Sequence, residues 1–272
     1  SGGGGGIVLV AGLEEWPAPP VKVTRAVYAT GLKKLVAPAN CLVDSGAFYQ
    51  FVYPPGYEAL LDVSVWEEVH PRFQGLRATF AVGAGTDMYN ALALLSETLG
   101  VTVIADNAIA DVWCGELFLY DAPAATIVEA LLQSARVVPG AFVVESAEHY
   151  IFLRSTDNMT KSDTCVNRDG LSPDARVMLE KTVDLRLPTR DGTLVFQYEA
   201  MPLQAVLDDL AEQMGVAVTA DAVLADFPVN QAVYLGLPIS DVLDLIIRQW
   251  PVARFGYRAD ADGIHFCVNS PE

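Results

Sequence analysis

A chain of 272 residues has room for one large domain or for two to three small ones at ~100 to 200 residues each. With 52% hydrophobic and 19% charged residues it can bury a sizeable core, which excludes wholesale disorder. Its 17 basic against 34 acidic residues leave a net charge of -17, which excludes nucleic acid or anionic lipid as a ligand of a basic face, and no apolar run approaches the ~18 residues of a membrane-spanning helix.

Ser1 and the glycines Gly2 to Gly6 read as a flexible tether over 1–6, since poly-glycine loses the most entropy on folding. Residues 7–75 are punctuated by Pro17, Pro19, Pro20, Pro38, Pro54 and Pro55. Strands are expected at Lys22–Tyr28, Phe48–Tyr53 and Leu60–Trp66, making a small, mostly β domain.

The rest of the chain carries an internal duplication. The run Gly100-Val-Thr-Val-Ile-Ala-Asp106 with Ala110-Asp111 recurs as Gly215-Val-Ala-Val-Thr-Ala-Asp221 with Ala225-Asp226, an offset of 215 − 100 = 115 residues. The same offset aligns Leu92 with Leu207, Leu95 with Leu210, Glu97 with Glu212 and Pro123 with Pro238. Helical spacing places Met88, Leu92, Leu95 and Leu99 on one apolar stripe, and Leu203, Leu207, Leu210 and Met214 on another. Gly100 and Gly215 stand where a left-handed helix cap favours glycine. Strands come next at Val101–Ala105 and Val216–Ala220, then at Glu116–Tyr120 and Gln231–Leu235. Pro123 and Pro238 suit the first turn of a second helix, which buries Ile127, Leu131 and Ala135, or Val242, Ile246 and Trp250. A hairpin closes each copy: Ala141–Glu145 with Tyr150–Arg154, and Phe255–Ala259 with Ile264–Val268 about the turn Asp260-Ala-Asp-Gly263. With leading strands at Thr79–Val82 and Leu194–Tyr198, the fold class is α+β: two tandem βαββαββ modules, 76–155 and 192–270, joined by a partly stranded linker over 156–191. Within that linker, Arg176–Leu187 has the alternation of one or two strands.

The run Met201-Pro-Leu-Gln-Ala-Val-Leu-Asp-Asp-Leu-Ala-Glu-Gln-Met-Gly-Val-Ala-Val218, followed by Leu237-Pro-Ile-Ser-Asp-Val-Leu-Asp-Leu-Ile-Ile247, resembles the short N-terminal domain shared by secretins and TonB-dependent transducers. The first copy departs from it, with Asp87 in place of the leading proline. The resemblance implies a non-enzymatic interaction and scaffold role in the bacterial cell envelope, as in the periplasmic N-domains of secretins of secretion or type IV pilus machinery. It implies protein partners in the periplasm or at the outer membrane, with self-association into a ring as one form. A signalling domain of the TonB-transducer type is the alternative. No outer-membrane barrel is expected after Ser270. The glycine tether resembles the segment next to the acylated cysteine of bacterial lipoproteins, so a lipid anchor before Ser1 is one expectation and a linker remnant the other.

The sequence carries no GxSxG, HExxH or P-loop motif. His70, His149 and His265 are dispersed, and Cys41, Cys114, Cys165 and Cys267 form no CxxC pair, so no zinc site is indicated; the four cysteines could form two disulfides in an oxidising compartment, with all three connectivities open, or stay as half-buried apolar thiols. Gly83-Ala-Gly85 reads as a turn into a helix. Asp106, Asp111, Asp221 and Asp226 recur as a metal or acid/base set would, but Asp caps and turns recur in any duplicated loop, which explains them with less. No catalytic residue and no cofactor is expected; an enzyme with a site in the N-terminal region is the remaining alternative. The candidate partner-binding residues are Val195, Phe196, Gln197 and Tyr198, on a leading strand whose edge would accept a partner strand. The competing reading is a strand already paired inside its own module.

Overall fold

The computed structural model describes residues 6–10, 12–13, 28–62, 66, 69–158, 170–187, 189–190, 193–194, 200–250 and 255–268. In chain order the first elements are β1 (Gly6–Leu9), α1 (Tyr28–Val36), β2 (Leu42–Ser45), β3 (Tyr49–Tyr53), α2 (Pro71–Gln74) and β4 (Arg77–Val82). Next come α3 (Met88–Leu99), β5 (Thr102–Ala105), β6 (Leu117–Pro123), α4 (Ala124–Ser134), β7 (Phe142–Ser146) and β8 (Tyr150–Ser155). After α5 (Pro173–Leu179) and β9 (Thr182–Leu187) lie three short pieces: β10 (Thr189–Arg190), β11 (Thr193–Leu194) and β12 (Met201–Pro202). The last stretch holds α6 (Leu203–Met214), β13 (Ala217–Ala220), β14 (Pro228–Val229), β15 (Ala232–Pro238), α7 (Ile239–Arg248), β16 (Phe255–Ala259) and β17 (Gly263–Val268). The fold is α+β.

Two compact units divide the chain, Ser1–Ala91 with Ala110–Val144, and Leu92–Ile109 with Glu145–Glu272. In the first unit a five-stranded sheet runs β2-β3-β1-β6-β4. Helix α1 covers one face through Leu32 and Val36 against Val43 and Val52, while α4 lies across β6, β1 and β4. In the second unit β9 pairs with β15, β17 with both β13 and β16, and β5 with β8. Its core joins Leu203, Leu207 and Leu210 of α6 to Val242, Leu243 and Ile246 of α7.

The 115-residue offset holds at the level of hydrogen bonds. Helices α3 and α6 start and end 115 residues apart, as do β5 and β13, and β6 and β15. Met88 N–H donates to Val112 O at 2.9 Å, and Leu203 N–H to Phe227 O at 2.8 Å. Gly100 and Gly215 both take a left-handed φ, +67° and +66°, which a side chain would strain. Strand β4 pairs with β6 as β9 pairs with β15, with the irregularity at the same place in both ladders. At that bulge Asp121 (φ 43°) and Gly236 (φ 58°) are equivalent, and their N–H groups donate to Thr79 Oγ1 and Asp184 Oδ1.

Three of the sequence expectations are corrected. Arg176–Leu187 is not wholly stranded: its first part belongs to α5, which starts where Ser172 accepts Ala175 N–H and Pro173 opens the first turn, and only β9 is strand. It is β9 that pairs with β15, with Leu194 in the small β11; Val195 to Tyr198 lie outside the described residues. Glu58–Asp62 is a 3-10 helix rather than the start of a strand, and the region before residue 76 contains α1. Most of Lys22–Tyr28 lies outside the described residues, as does Cys165.

The N-terminal region repeats the second half of the copies. Parallel pairs begin at Gly6 with Tyr49, Thr102 with Tyr150, and Ala217 with Gly263. The hairpin turns close through Gly46 N–H to Tyr49 O (2.9 Å), Ala147 N–H to Tyr150 O (3.0 Å) and Asp260 N–H to Gly263 O (3.0 Å). Val10, Asp106 and Asp221 each donate their N–H to the strand beside them, at Val52 O, Leu153 O and Phe266 O. A helix precedes each hairpin: α1, α4 and α7. Sequence identity does not mark this third copy, because a parallel pair and a turn need only apolar alternation and small residues.

Candidate interaction surface

In the first unit β6 is an inner strand, and alternation sends Leu117 and Leu119 into the core and Phe118 and Tyr120 to the other face. Phe118 keeps 42% of its surface exposed and Tyr120 65%, in the middle of a sheet where large apolar side chains are normally covered. Directly opposite Phe118 stand Ile7 on β1 and the exposed Ala81 on β4. The second unit shows the same face covered. Val233, equivalent to Phe118, is fully buried and Leu235 half-buried. Opposite Val233, Arg186 reaches Glu97 on α3, Nε to Oε1 at 2.6 Å. Trp113, in the chain before β6, is also 53% exposed. Sequence reading placed this strand without choosing its outward face; the signal was the pair of aromatics where the second copy has Val233 and Leu235.

Two of the recurring aspartates, Asp106 and Asp221, hold backbone N–H groups. The buried Asp106 carboxylate accepts Ala108 N–H at 3.1 Å, Ser155 N–H at 2.7 Å and Asn158 Nδ2 at 2.9 Å. Asp221 accepts Val268 N–H at 3.1 Å and faces His265 Nε2 at 3.0 Å. Those two bonds, the backbone one first, hold the Asp221 carboxyl below the usual carboxylate range. His265 Nδ1 in turn meets Thr219 Oγ1 at 2.9 Å, so hydroxyl, imidazole and carboxylate stand in line on the β13-β17 surface. The order is that of a nucleophile relay, with Thr219 and His265 on neighbouring strands and Asp221 just past β13, its second oxygen taken by Val268 N–H. Among the described thiols, burial, with the Asp87 charge behind it, pushes Cys114 up to about 12, and burial raises Cys41 and Cys267, which favours the neutral thiol.

A polar cluster runs through the second unit. Arg248, 2% exposed, donates to Glu145 and stacks over the Phe152 ring at 4.2 Å, while Arg154 donates to the other Glu145 oxygen. Burial would raise the Glu145 carboxyl, but the Arg154 and Arg248 bonds outweigh it and hold the group low. Asn158 Nδ2 also donates to Arg248 O at 2.8 Å, and Asn107 N–H to Gln249 O at 2.8 Å. Gln249 Oε1 accepts Asn230 N–H at 2.9 Å. Nearly every group in this cluster is partnered, which fixes the β5-β8 pair against α7 in one arrangement.

No family model, no curated protein and no solved structure matches the chain. Among the described residues no helix is long and apolar enough to cross a membrane.

Proposed function

We propose that the chain is a non-enzymatic interaction and scaffold component of the bacterial cell envelope, akin to the periplasmic N-domains of secretins. The observation that carries the reading is the Phe118–Tyr120 row, left open on a sheet face that the second copy covers. A repeated unit that buries a face in one copy and exposes aromatics there in another is built to continue its packing into a partner. The periplasmic setting comes from the resemblance of the Met201–Ile247 run. Light scattering over a range of concentrations tests the role. A ring component gains mass with concentration, and F118S/Y120S abolishes that gain without lowering the melting temperature. A chain that stays monomeric, and from which the double variant removes no binding to envelope protein, contradicts the proposal.

A further inference from the structure

Three equivalent strands, β1, β5 and β13, each pair in parallel with the last strand of a hairpin on one side. Two of them have their other edge taken. Strand β6 lies antiparallel on β1, pairing Ile7 with Phe118 and Val8 with Leu117, and Leu9 N–H donates to Glu116 O at 2.8 Å. Gly6 is required there, because a Cβ would sit 2.8 Å from Phe118 O and 2.9 Å from Phe48 O. Strand β15 runs beside β5, with Leu235 N–H donating to Thr102 Oγ1 at 3.0 Å. Strand β13 is the end of its sheet, in the order β13-β17-β16, and no strand among the described residues lies on its outer edge.

We infer that the outer edge of β13 receives one antiparallel strand from a further module of this kind, the counterpart of β6 on β1 and of β15 on β5. The inference rests on reading the chain as an interaction scaffold and names the element that would make the contact. Asp221 N–H points to β17, so alternation turns the N–H groups of Ala220 and Val218 outward, where Leu9 and Ile7 meet β6. Ala217 and Thr219 are exposed and small, and leave room for a neighbouring backbone, while Val218 is buried on the other face. The incoming strand therefore carries an apolar residue opposite Val218 and a small or polar one opposite Thr219. The segment Gln231-Ala-Val-Tyr234 of this chain has that pattern, with Val233 in the place of Phe118 and Ala232 in that of Leu117.

The probe is a synthetic peptide of residues 230–237, added to the full chain up to millimolar concentration while amide hydrogen exchange is followed. The expected result is at least ~10-fold slower exchange at Val218 and Ala220, with no change at the already bonded Asp221. Two peptides N-methylated on alternate residues separate strand addition from side-chain docking without altering the protein, because only the one whose N-methyl groups face β13 should lose the effect. Unchanged exchange at Val218 and Ala220, protection confined to another strand, or equal binding by both methylated peptides overturns the inference. Concentration-dependent assembly that still responds to F118S/Y120S would, in that event, leave the scaffold proposal standing.

Discussion

Asp106 accepts the N–H of Ser155 at 2.7 Å, a bond closed across 49 residues that ties the end of β5 to the last residue of β8. Asp221 makes the equivalent bond to Val268 at 3.1 Å. The two sites differ in burial, with Asp106 1% exposed and Asp221 38% by side chain. Asp106→Ala would leave Ser155 N–H and Asn158 Nδ2 without this acceptor inside the protein, and should cost about 1.5 to 3 kcal/mol for hydrogen bonds to a charged group. Asp221→Ala should cost clearly less, since water reaches its partners. Urea melts of both variants check the order, and equal losses would show that burial does not set the strength of these two bonds.

Leu95 and Leu210 are fully buried at the same turn of α3 and α6. Leu→Ala at either should lower stability by ~2 to 5 kcal/mol, the spread depending on how far each site collapses. A shift below ~1 kcal/mol in chemical denaturation would show that the helical faces are assigned wrongly.

The helices were legible in the sequence because their signals are local. Met88, Leu92 and Leu95 define a face by spacing, and Gly100 and Gly215 mark its end by the backbone they permit. Strand β9 was missed as the partner of β15 because nothing in Thr182–Leu187 states which strand it joins, and the span from β9 to α6 is ten residues longer than that from β4 to α3. Pairing is a long-range property, and alternation alone supports several registers. The third copy of the parallel pair and hairpin was hidden for the same reason: Gly6, Thr102 and Ala217 share a position but no side-chain chemistry. The exposed face of β6 depended on what packs above it, which no residue of that strand encodes.

Asp121 and Gly236 occupy the same left-handed bulge position, and only glycine does so without strain. Gly236→Ala should destabilise by about 1 kcal/mol or more, because the side chain is forced into that conformation. Asp121→Gly relieves the strain and forfeits only the exposed Arg77–Asp121 ion pair, whose contribution is about 0 to 1 kcal/mol. Its melt should therefore match or exceed that of the parent chain. A loss at Asp121→Gly as large as that at Gly236→Ala would disprove the equivalence.

Two guanidinium groups hold the Glu145 carboxyl below the ordinary value, one from the almost fully buried Arg248 and one from Arg154. A carboxyl depressed in the folded state contributes stability that is present above its unfolded pKa, about 4.3, and is lost as pH falls through the folded value. Glu145→Gln should therefore flatten the acid limb of the stability curve while changing its shape little above pH 6. Arg248→Met keeps most of the buried volume but removes the charge that Glu145 faces. Breaking a buried pair from one side costs about 3 to 5 kcal/mol, and the lower end applies because Arg154 still reaches the carboxylate. The double variant R248M/E145Q leaves no uncompensated carboxylate and should recover much of that loss, by the coupling that a double-mutant cycle measures. Additive losses in the cycle, together with an acid limb that Glu145→Gln does not change, would show that the guanidinium stack over Phe152, rather than the ion pair, accounts for the burial of Arg248.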